Sequence, residues 1–207
     1  AATPGAADAR TWHLALAATI QALRAPAAEL EGVLPARRGL VLSTTKGDIV
    51  ALERVQRGEP VTALSRRHLL PALLAEDLAR HFDVQGPVQC ISAACISGLL
   101  ALQQGARWIE RGDADVVLVV GVDVLSHFVL AGFTSLKSLE PGGCRPFDRN
   151  RVGLSLGEGA GAIVLQSRRR PAPGSWQLTG WGTSNDANHL TGPSRDGAGL
   201  ALAMRRA

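Results

Sequence analysis

The sequence predicts an α/β fold in which a mixed β-sheet lies between helices. Two observations support this prediction. Apolar runs rich in β-branched residues, typical of strands buried on both faces, alternate with stretches whose apolar residues recur at helical spacing. Over residues 88–121, a strand-like run, a helical stretch and a second strand-like run follow one another, which is the pattern of a right-handed βαβ unit.

Three elements are predicted before residue 88. Residues 10–24 carry apolar residues with alanines between them, as an amphipathic helix does. A short strand is expected over residues 39–44, leading into a turn at 46–48. Residues 65–82 are predicted to form one further helix, with Ser65 as its N-cap and leucines along its apolar side.

The central unit is predicted around Cys95. An apolar strand starting near Val88 is expected to end in this cysteine, which opens a helix that ends near Gly112. A buried strand is then expected over residues 114–121. The residues of the helix that are expected to face the core are Leu99, Leu102, Ala106 and Ile109.

The last third of the chain is predicted to close the sheet. Residues 161–166 and 176–181 are expected to form an antiparallel pair, and the arginine- and proline-rich residues 168–174 an exposed turn between them. A final helix is expected over residues 197–205.

Cys95 is the candidate nucleophile. Unpaired backbone N–H groups and the positive end of the macrodipole at a helix N-terminus favour a thiolate, the reactive form of cysteine. The alternative is that Cys95 is a small core side chain, because free cysteines are among the most buried residues. Cys90 is expected to pack in the core, and Cys144 to be an incidental loop thiol.

Glu158 and Asp148 are expected to have structural and not catalytic roles. Carboxylates beside glycine-rich turns commonly accept hydrogen bonds from backbone N–H groups and from arginines.

Composition and charge narrow the class of protein. Three cysteines without framework spacing argue against a disulfide scaffold, and neither a membrane-spanning stretch nor a signal-peptide pattern is visible, so a cytoplasmic location is expected. Arginines without interleaved aromatic residues disfavour nucleic-acid binding. The net charge of +4 suits an acidic protein partner, although scattered arginines are more often solvated. The candidate docking residues are Arg66, Arg67, Arg107 and Arg111.

Four motif-bearing segments follow one another along the chain. They are residues 93–98, residues 112–115 leading to 121–123, residues 145–151 running into 157–161, and residues 184–193. In that order they resemble the nucleophile segment, the following strand, the R-P-F-D-x-x-R-D-G and G-E-G-A-G motifs, and the D-A-x-H-x-T-x-P loop of one family. That family is the β-ketoacyl-acyl-carrier-protein synthases, condensing enzymes of the thiolase-like superfamily.

The resemblance implies the N-terminal half of a thiolase-like fold, with residues 1–207 as one unit, truncated at both ends, from which the C-terminal half is absent. It implies that Cys95 accepts an acyl group from an acyl carrier protein, its own backbone N–H stabilising the oxyanion. A decarboxylative condensation with malonyl-carrier protein would follow, in fatty-acid or polyketide-like biosynthesis. The two catalytic histidines would belong to the absent half, and neither a cofactor nor a metal is implied. The candidate substrate-binding residues are His189, Thr191 and Phe133.

The resemblance also implies a homodimer or a heterodimer that pairs through the strand near Val88–Ile91. Two departures from the family pattern are visible. Ile96 replaces the Thr or Ser that commonly follows the nucleophile, and Val152 replaces the Asp of R-D-G. Two alternatives stay open: a non-catalytic partner subunit, which has no need of a thiolate at Cys95, and a thiolase-like acyltransferase that uses coenzyme A thioesters.

Overall fold

The structure, a computed structural model, describes residues 9–24, 30, 32–167, 175–189 and 192–207. The chain divides into two compact units, Ala1–Ser167 and Arg168–Ala207. The strands are β1 Arg38–Ser43, β2 Val88–Ile91, β3 Val116–Asp123 and β4 Gly159–Gln166. The helices are α1 Arg10–Leu23, α2 Ile49–Gln56, α3 Ala63–Arg67, α4 Pro71–His81, α5 Ser97–Arg111, α6 His127–Ser135 and α7 Ala198–Arg206. None of the described helices is long and apolar enough to cross a membrane.

The four strands form one mixed sheet in the order β2-β1-β3-β4. β1 lies between β2 and β3 and is parallel to both, so the predicted unit β2-α5-β3 crosses over one intervening strand. β4 is antiparallel to β3. The prediction that residues 161–166 pair with 176–181 is wrong, because β4 pairs along the whole length of β3 and the described residues 175–189 form no strand.

The sheet has a core on each face, because successive residues of a strand point to opposite sides. On one face, α1 and α4 pack on the sheet, and on the other face α5 does so. The first core contains Ala15, Leu40, Leu42, Leu74, Leu78, Leu118 and Val120. The second core contains Val41, Ala101, Trp108, Val117 and Val119. The predicted α/β class with a mixed sheet between helices is therefore confirmed.

The helix predicted over residues 65–82 is instead two helices. Proline has no N–H and clashes inside a helix, so Pro71 takes the first turn of α4 and ends the preceding segment. Ser65 is not the N-cap: the Thr62 hydroxyl caps α3 by accepting the Ser65 N–H at 3.1 Å. Helix α2 is not among the predicted elements, although its N-cap is Asp48, a residue type that commonly opens helices.

The break between α3 and α4 buries His68. Its ring stacks on Trp12 of α1 with a centroid distance of 5.4 Å, and its Nε2 lies 3.0 Å from Asp77 Oδ2. Burial lowers the pKa of His68, an effect that Asp77 partly offsets. This contact joins α1 to α4 on the first face of the sheet.

Helix α5 approaches the sheet closely through small side chains. Its buried side includes Ala101, Gly105 and Trp108, whereas Leu99, predicted to face the core, is 69% exposed. The predicted end of the helix is confirmed, because Gly112 caps it with φ 75°, a conformation that favours glycine. A Cβ on Gly105 would lie 3.0 to 3.1 Å from side-chain atoms of Leu165, Val117 and Val119.

We therefore expect Gly105→Ala to destabilise the protein by about 1 to 3 kcal/mol, because the added methyl overpacks a filled interface. Gly132→Ala on α6 is the matched control, since a methyl group at that position would have no neighbour within 4 Å. That change should stabilise by about 0.5 to 1 kcal/mol through helix propensity. Urea unfolding of both variants measures the difference, and equal effects would contradict the close packing of α5.

Candidate functional site

Cys95 lies in a turn between β2 and α5, at the edge where three parallel strands end. β1, β2 and β3 end at Ser43, Ile91 and Asp123, and the register places Ser43 beside both Ile91 and Gly121. The prediction that Cys95 opens the helix is corrected by two residues, because α5 starts at Ser97. Cys95 is exposed, so it is not a core side chain. In α/β sheets, the carboxyl edge of parallel strands is where ligands commonly bind.

The turn that carries Cys95 is closed by the buried hydroxyl of Ser97. This hydroxyl accepts the Ala93 N–H at 2.8 Å and donates to the Ala94 carbonyl at 2.7 Å. Ala94 has φ 49°, in the left-handed region that a non-glycine residue seldom adopts. We infer that Ser97 stabilises this conformation and with it the position of Cys95. This role of Ser97 is not among the predictions from sequence, although serine side chains readily form hydrogen bonds with the local backbone.

The other two thiols have different surroundings. Cys90 on β2 is half-buried against the first core, and burial raises the pKa of its thiol. It is thus a core side chain, as predicted. Cys144 is exposed in a loop whose backbone N–H at this residue donates to Ser155 Oγ at 2.9 Å. Cys144 therefore provides an internal reference for the reactivity of an exposed thiol.

The carboxylates near the glycine-rich turns make structural contacts. Glu158 forms an ion pair with Arg10 and accepts the Leu125 N–H at 3.1 Å. Hydrogen bonds from Arg10 and then from Leu125 lower the pKa of Glu158. Asp148 accepts the Asn150 N–H at 2.6 Å. These contacts agree with the structural assignment of both residues.

The three candidate substrate-binding residues lie in different parts of the chain. Phe133 is half-buried on α6 in the larger unit. His189 belongs to the smaller unit, where it is exposed and its Nδ1 accepts the Gly192 N–H at 3.2 Å. Thr191 lies outside the described residues. The contacts of these residues with a substrate stay predictions.

Two further features of the larger unit bear on ligand binding. Within the described ranges, no group of three His, Cys, Asp or Glu side chains is arranged to hold a metal ion. A cleft of about 690 Å³ is lined by several leucines from α6 and its surroundings, together with charged residues such as Glu53 and Arg57. Cys95 does not line this cleft. The cleft is therefore not the space around the candidate nucleophile.

Comparisons with known proteins identify the family to which the chain is similar. Residues 8–170 match the family model described as the N-terminal domain of β-ketoacyl synthase. The chain is 34% identical to 3-oxoacyl-[acyl-carrier-protein] synthase 2 of Vibrio cholerae over 97% of this chain and 53% of that protein. A protein named as a polyketide β-ketoacyl synthase in Streptomyces halstedii is 33% identical over 93% of this chain and 51% of the relative.

The solved structures agree in fold. A ketosynthase from Xenorhabdus doucetiae, in complex with its chain length factor, matches with a TM-score of 0.79 and 28% identity over 95% of this chain and 51% of that chain. The chain thus spans about half the length of the relatives it matches. The predicted resemblance and the predicted thiolase-like fold of an N-terminal half are both confirmed. The chain belongs to the β-ketoacyl synthase family and corresponds to its N-terminal domain.

Proposed function

We propose that Cys95 is the acyl-accepting nucleophile of a β-ketoacyl-acyl-carrier-protein synthase, to which this chain contributes the N-terminal half. The observation that carries the proposal is an exposed thiol on a braced turn, directly before a helix and at the carboxyl edge of the parallel strands. Helix N-termini favour thiolates, and the family match includes this turn. The catalytic histidines would come from the C-terminal half.

The first step is acyl transfer to sulfur. The Cys95 thiolate attacks the thioester carbon of an acyl group on the carrier protein, and the Cys95 backbone N–H donates a hydrogen bond to the oxyanion that forms. Collapse of this intermediate breaks the bond between the acyl carbon and the carrier's sulfur. The carrier leaves as a thiol after taking up a proton, and the acyl group stays on Cys95 as a thioester.

The second step is condensation. Malonyl-carrier protein loses CO₂, and the carbanion attacks the acyl carbon on Cys95. Cys95 leaves as a thiolate, and the carrier holds a β-ketoacyl chain that is longer by two carbons. We propose that His189 and Thr191 lie near the pantetheine arm of the carrier and that Phe133 contacts the substrate.

The carrier protein is favoured over coenzyme A as the acyl donor because the Vibrio cholerae relative carries the acyl carrier protein in its name. Carrier docking would use basic side chains. Arg67 is half-buried and forms ion pairs with Asp77 and Glu76, with distances of 2.9 and 3.2 Å. Arg66 on α3 and Arg107 and Arg111 on α5 are exposed, and their exposure makes these three the better candidates.

Intact-protein mass spectrometry tests the nucleophile. After incubation with an acyl-carrier protein, with and without a supplied C-terminal half, we expect one acyl group on the wild type and on Cys144→Ala, and none on Cys95→Ala. Cys90 should stay unmodified because burial raises its pKa and keeps it protonated. Running the same assay with acyl-coenzyme A compares the two donors.

Three results would contradict these proposals. Acyl addition that persists in Cys95→Ala would exclude Cys95 as the nucleophile. A wild type that accepts no acyl group even with the second half supplied would favour the non-catalytic partner subunit. A clear preference for acyl-coenzyme A would favour the thiolase-like acyltransferase.

We also propose that β2 is an interface strand, which pairs with a second copy of the chain or with a related condensing-enzyme chain. Among the described strands, β2 pairs with β1 alone and leaves its other edge open. Val88 and Gln89 on this edge strand are exposed. The open edge of a strand is a template for pairing with another strand. The chain length factor bound to the Xenorhabdus doucetiae ketosynthase supports a heterodimer as one of the two possibilities.

Substituting Val88 with lysine should disrupt this pairing, because a charge on an edge strand opposes the approach of a second strand. Sedimentation equilibrium should show a dimer for the wild type and a monomer for Val88→Lys. Ile20→Lys on α1 is the matched control, since both side chains are 36% exposed, and it should stay dimeric. A wild type that is monomeric alone and forms no complex with a chain-length-factor-type partner would disprove the interface.

A further inference from the structure

A polar cluster lies beside the Cys95 turn, where β1 and β3 end. Its centre is Asp123, the last residue of β3, whose Oδ1 accepts three hydrogen bonds. The donors are the Thr45 N–H at 3.0 Å, the Thr45 hydroxyl at 2.8 Å and the Thr44 hydroxyl at 3.3 Å. The Lys46 ammonium in turn donates to the Thr45 hydroxyl. Hydrogen bonds to a carboxylate are stronger than neutral ones, so this cluster fixes the segment that follows β1.

The segment held by Asp123 is bonded to the strand and the turn that lead to Cys95. The Thr44 N–H donates to the Ile91 carbonyl at 3.3 Å, at the end of β2. The Ser92 hydroxyl donates to the Thr45 carbonyl at 3.3 Å. Ser92 precedes Cys95 by three residues. Two hydrogen bonds therefore connect the Asp123 cluster to the start of the turn, while Ser97 closes its end.

We propose that Asp123 is a positioning residue for Cys95. Through Thr44 and Thr45 it holds the entry of the nucleophile turn, and so keeps the thiol in front of α5. The inference rests on the proposed function of Cys95. No contact between Asp123 and Cys95 is involved, so Asp123 acts on the thiol through the backbone of two intervening segments.

A direct electrostatic effect of Asp123 would have the opposite sign. A nearby negative charge disfavours a thiolate, so removal of the charge alone would make Cys95 more reactive. Loss of positioning makes Cys95 less reactive, because the thiol moves away from its place before the helix. The direction of the change in reactivity therefore separates the two roles.

The experiment measures the alkylation rate of each thiol by iodoacetamide, resolved by peptide mass spectrometry, in the intact chain at one pH. Cys144 in the same sample is the reference thiol. The variants are Asp123→Ala, which removes all three hydrogen bonds, and Asp123→Asn, which keeps an acceptor oxygen of the same shape. Asp115→Ala is the matched control: Asp115 lies just before the other end of β3 and is bound by Arg37 through two bonds of 2.6 and 3.0 Å.

We expect Asp123→Ala to slow alkylation of Cys95 by about twofold to fivefold, because a thiol displaced from the helix N-terminus loses the stabilisation of its thiolate there. Asp123→Asn should recover most of the wild-type rate. Asp115→Ala should lose stability without slowing Cys95, and Cys144 should react equally in all variants. With acyl-carrier protein as donor, Asp123→Ala should lower the maximal acylation rate and leave the half-saturating concentration unchanged.

Several outcomes would overturn the inference. They are an unchanged or faster Cys95 rate in Asp123→Ala, an Asp123→Asn variant as slow as Asp123→Ala, or equal slowing in Asp115→Ala. Should Asp123→Ala fail to fold by circular dichroism, Thr45→Val tests the same link, because it removes the hydroxyl bond to Asp123, together with the bond from Lys46, and keeps the bond from the Thr45 N–H. It should slow Cys95 by a smaller factor, and a wild-type rate would contradict the proposal.

The proposed function and this inference can fail separately. If the wild type accepts no acyl group on Cys95, the proposed function fails. The alkylation rates still decide whether Asp123 positions the thiol.

Discussion

The position of β1 between two parallel partners is the constraint on which the site depends. Because β1 is hydrogen-bonded to β2 on one side and to β3 on the other, the ends of all three strands lie at one edge of the sheet. Residues far apart in sequence, Thr45, Ser92 and Asp123, then come within hydrogen-bonding distance. A shift of one residue in either pairing would turn strand side chains to the opposite face and separate these groups. The hydrogen bonds that pair β1 with β2 and β3 therefore determine both which side chains enter the core and which groups meet at the site.

The helix that follows the nucleophile is held by a second constraint, the lack of a side chain at Gly105. The absence of a side chain at Gly105 allows α5 to lie close on Val117 and Val119. The turn from Ser92 to Ser97 joins β2 to α5 in a few residues. This short connection contains the left-handed Ala94 and the two Ser97 bonds. The backbone strain at Ala94 is offset by these bonds and by the packing of α5.

The sequence was sufficient for the class of the fold and for the place of Cys95 between a strand and a helix, because both depend on local patterns. Prediction from the sequence failed where tertiary packing overrides the local pattern. Leu99 fits the helical period but is exposed, because the side of α5 that packs on the sheet carries Ala101 and Gly105 instead. β4 pairs with β3, and a long segment of chain separates the two strands, so local periodicity cannot predict their pairing.

Pro71, by contrast, is a signal visible in the sequence, and it divides the helix predicted over residues 65–82. The bond from Thr45 to Asp123 joins residues 78 positions apart, so no local pattern could reveal it.

In the proposal, the two chemical steps use residues from different halves of the enzyme. Transfer of an acyl group to sulfur needs a reactive thiol and a donor for the oxyanion, and in the proposal both belong to one residue, Cys95. Decarboxylation needs the histidines, which the family resemblance assigns to the other half. The contacts that brace the Cys95 turn come from the segment after β1 and from α5, both within the larger unit of this chain. In the proposal, the geometry of the first step is therefore encoded in this chain, and the second half would supply the chemistry that acts on an acyl group already in place.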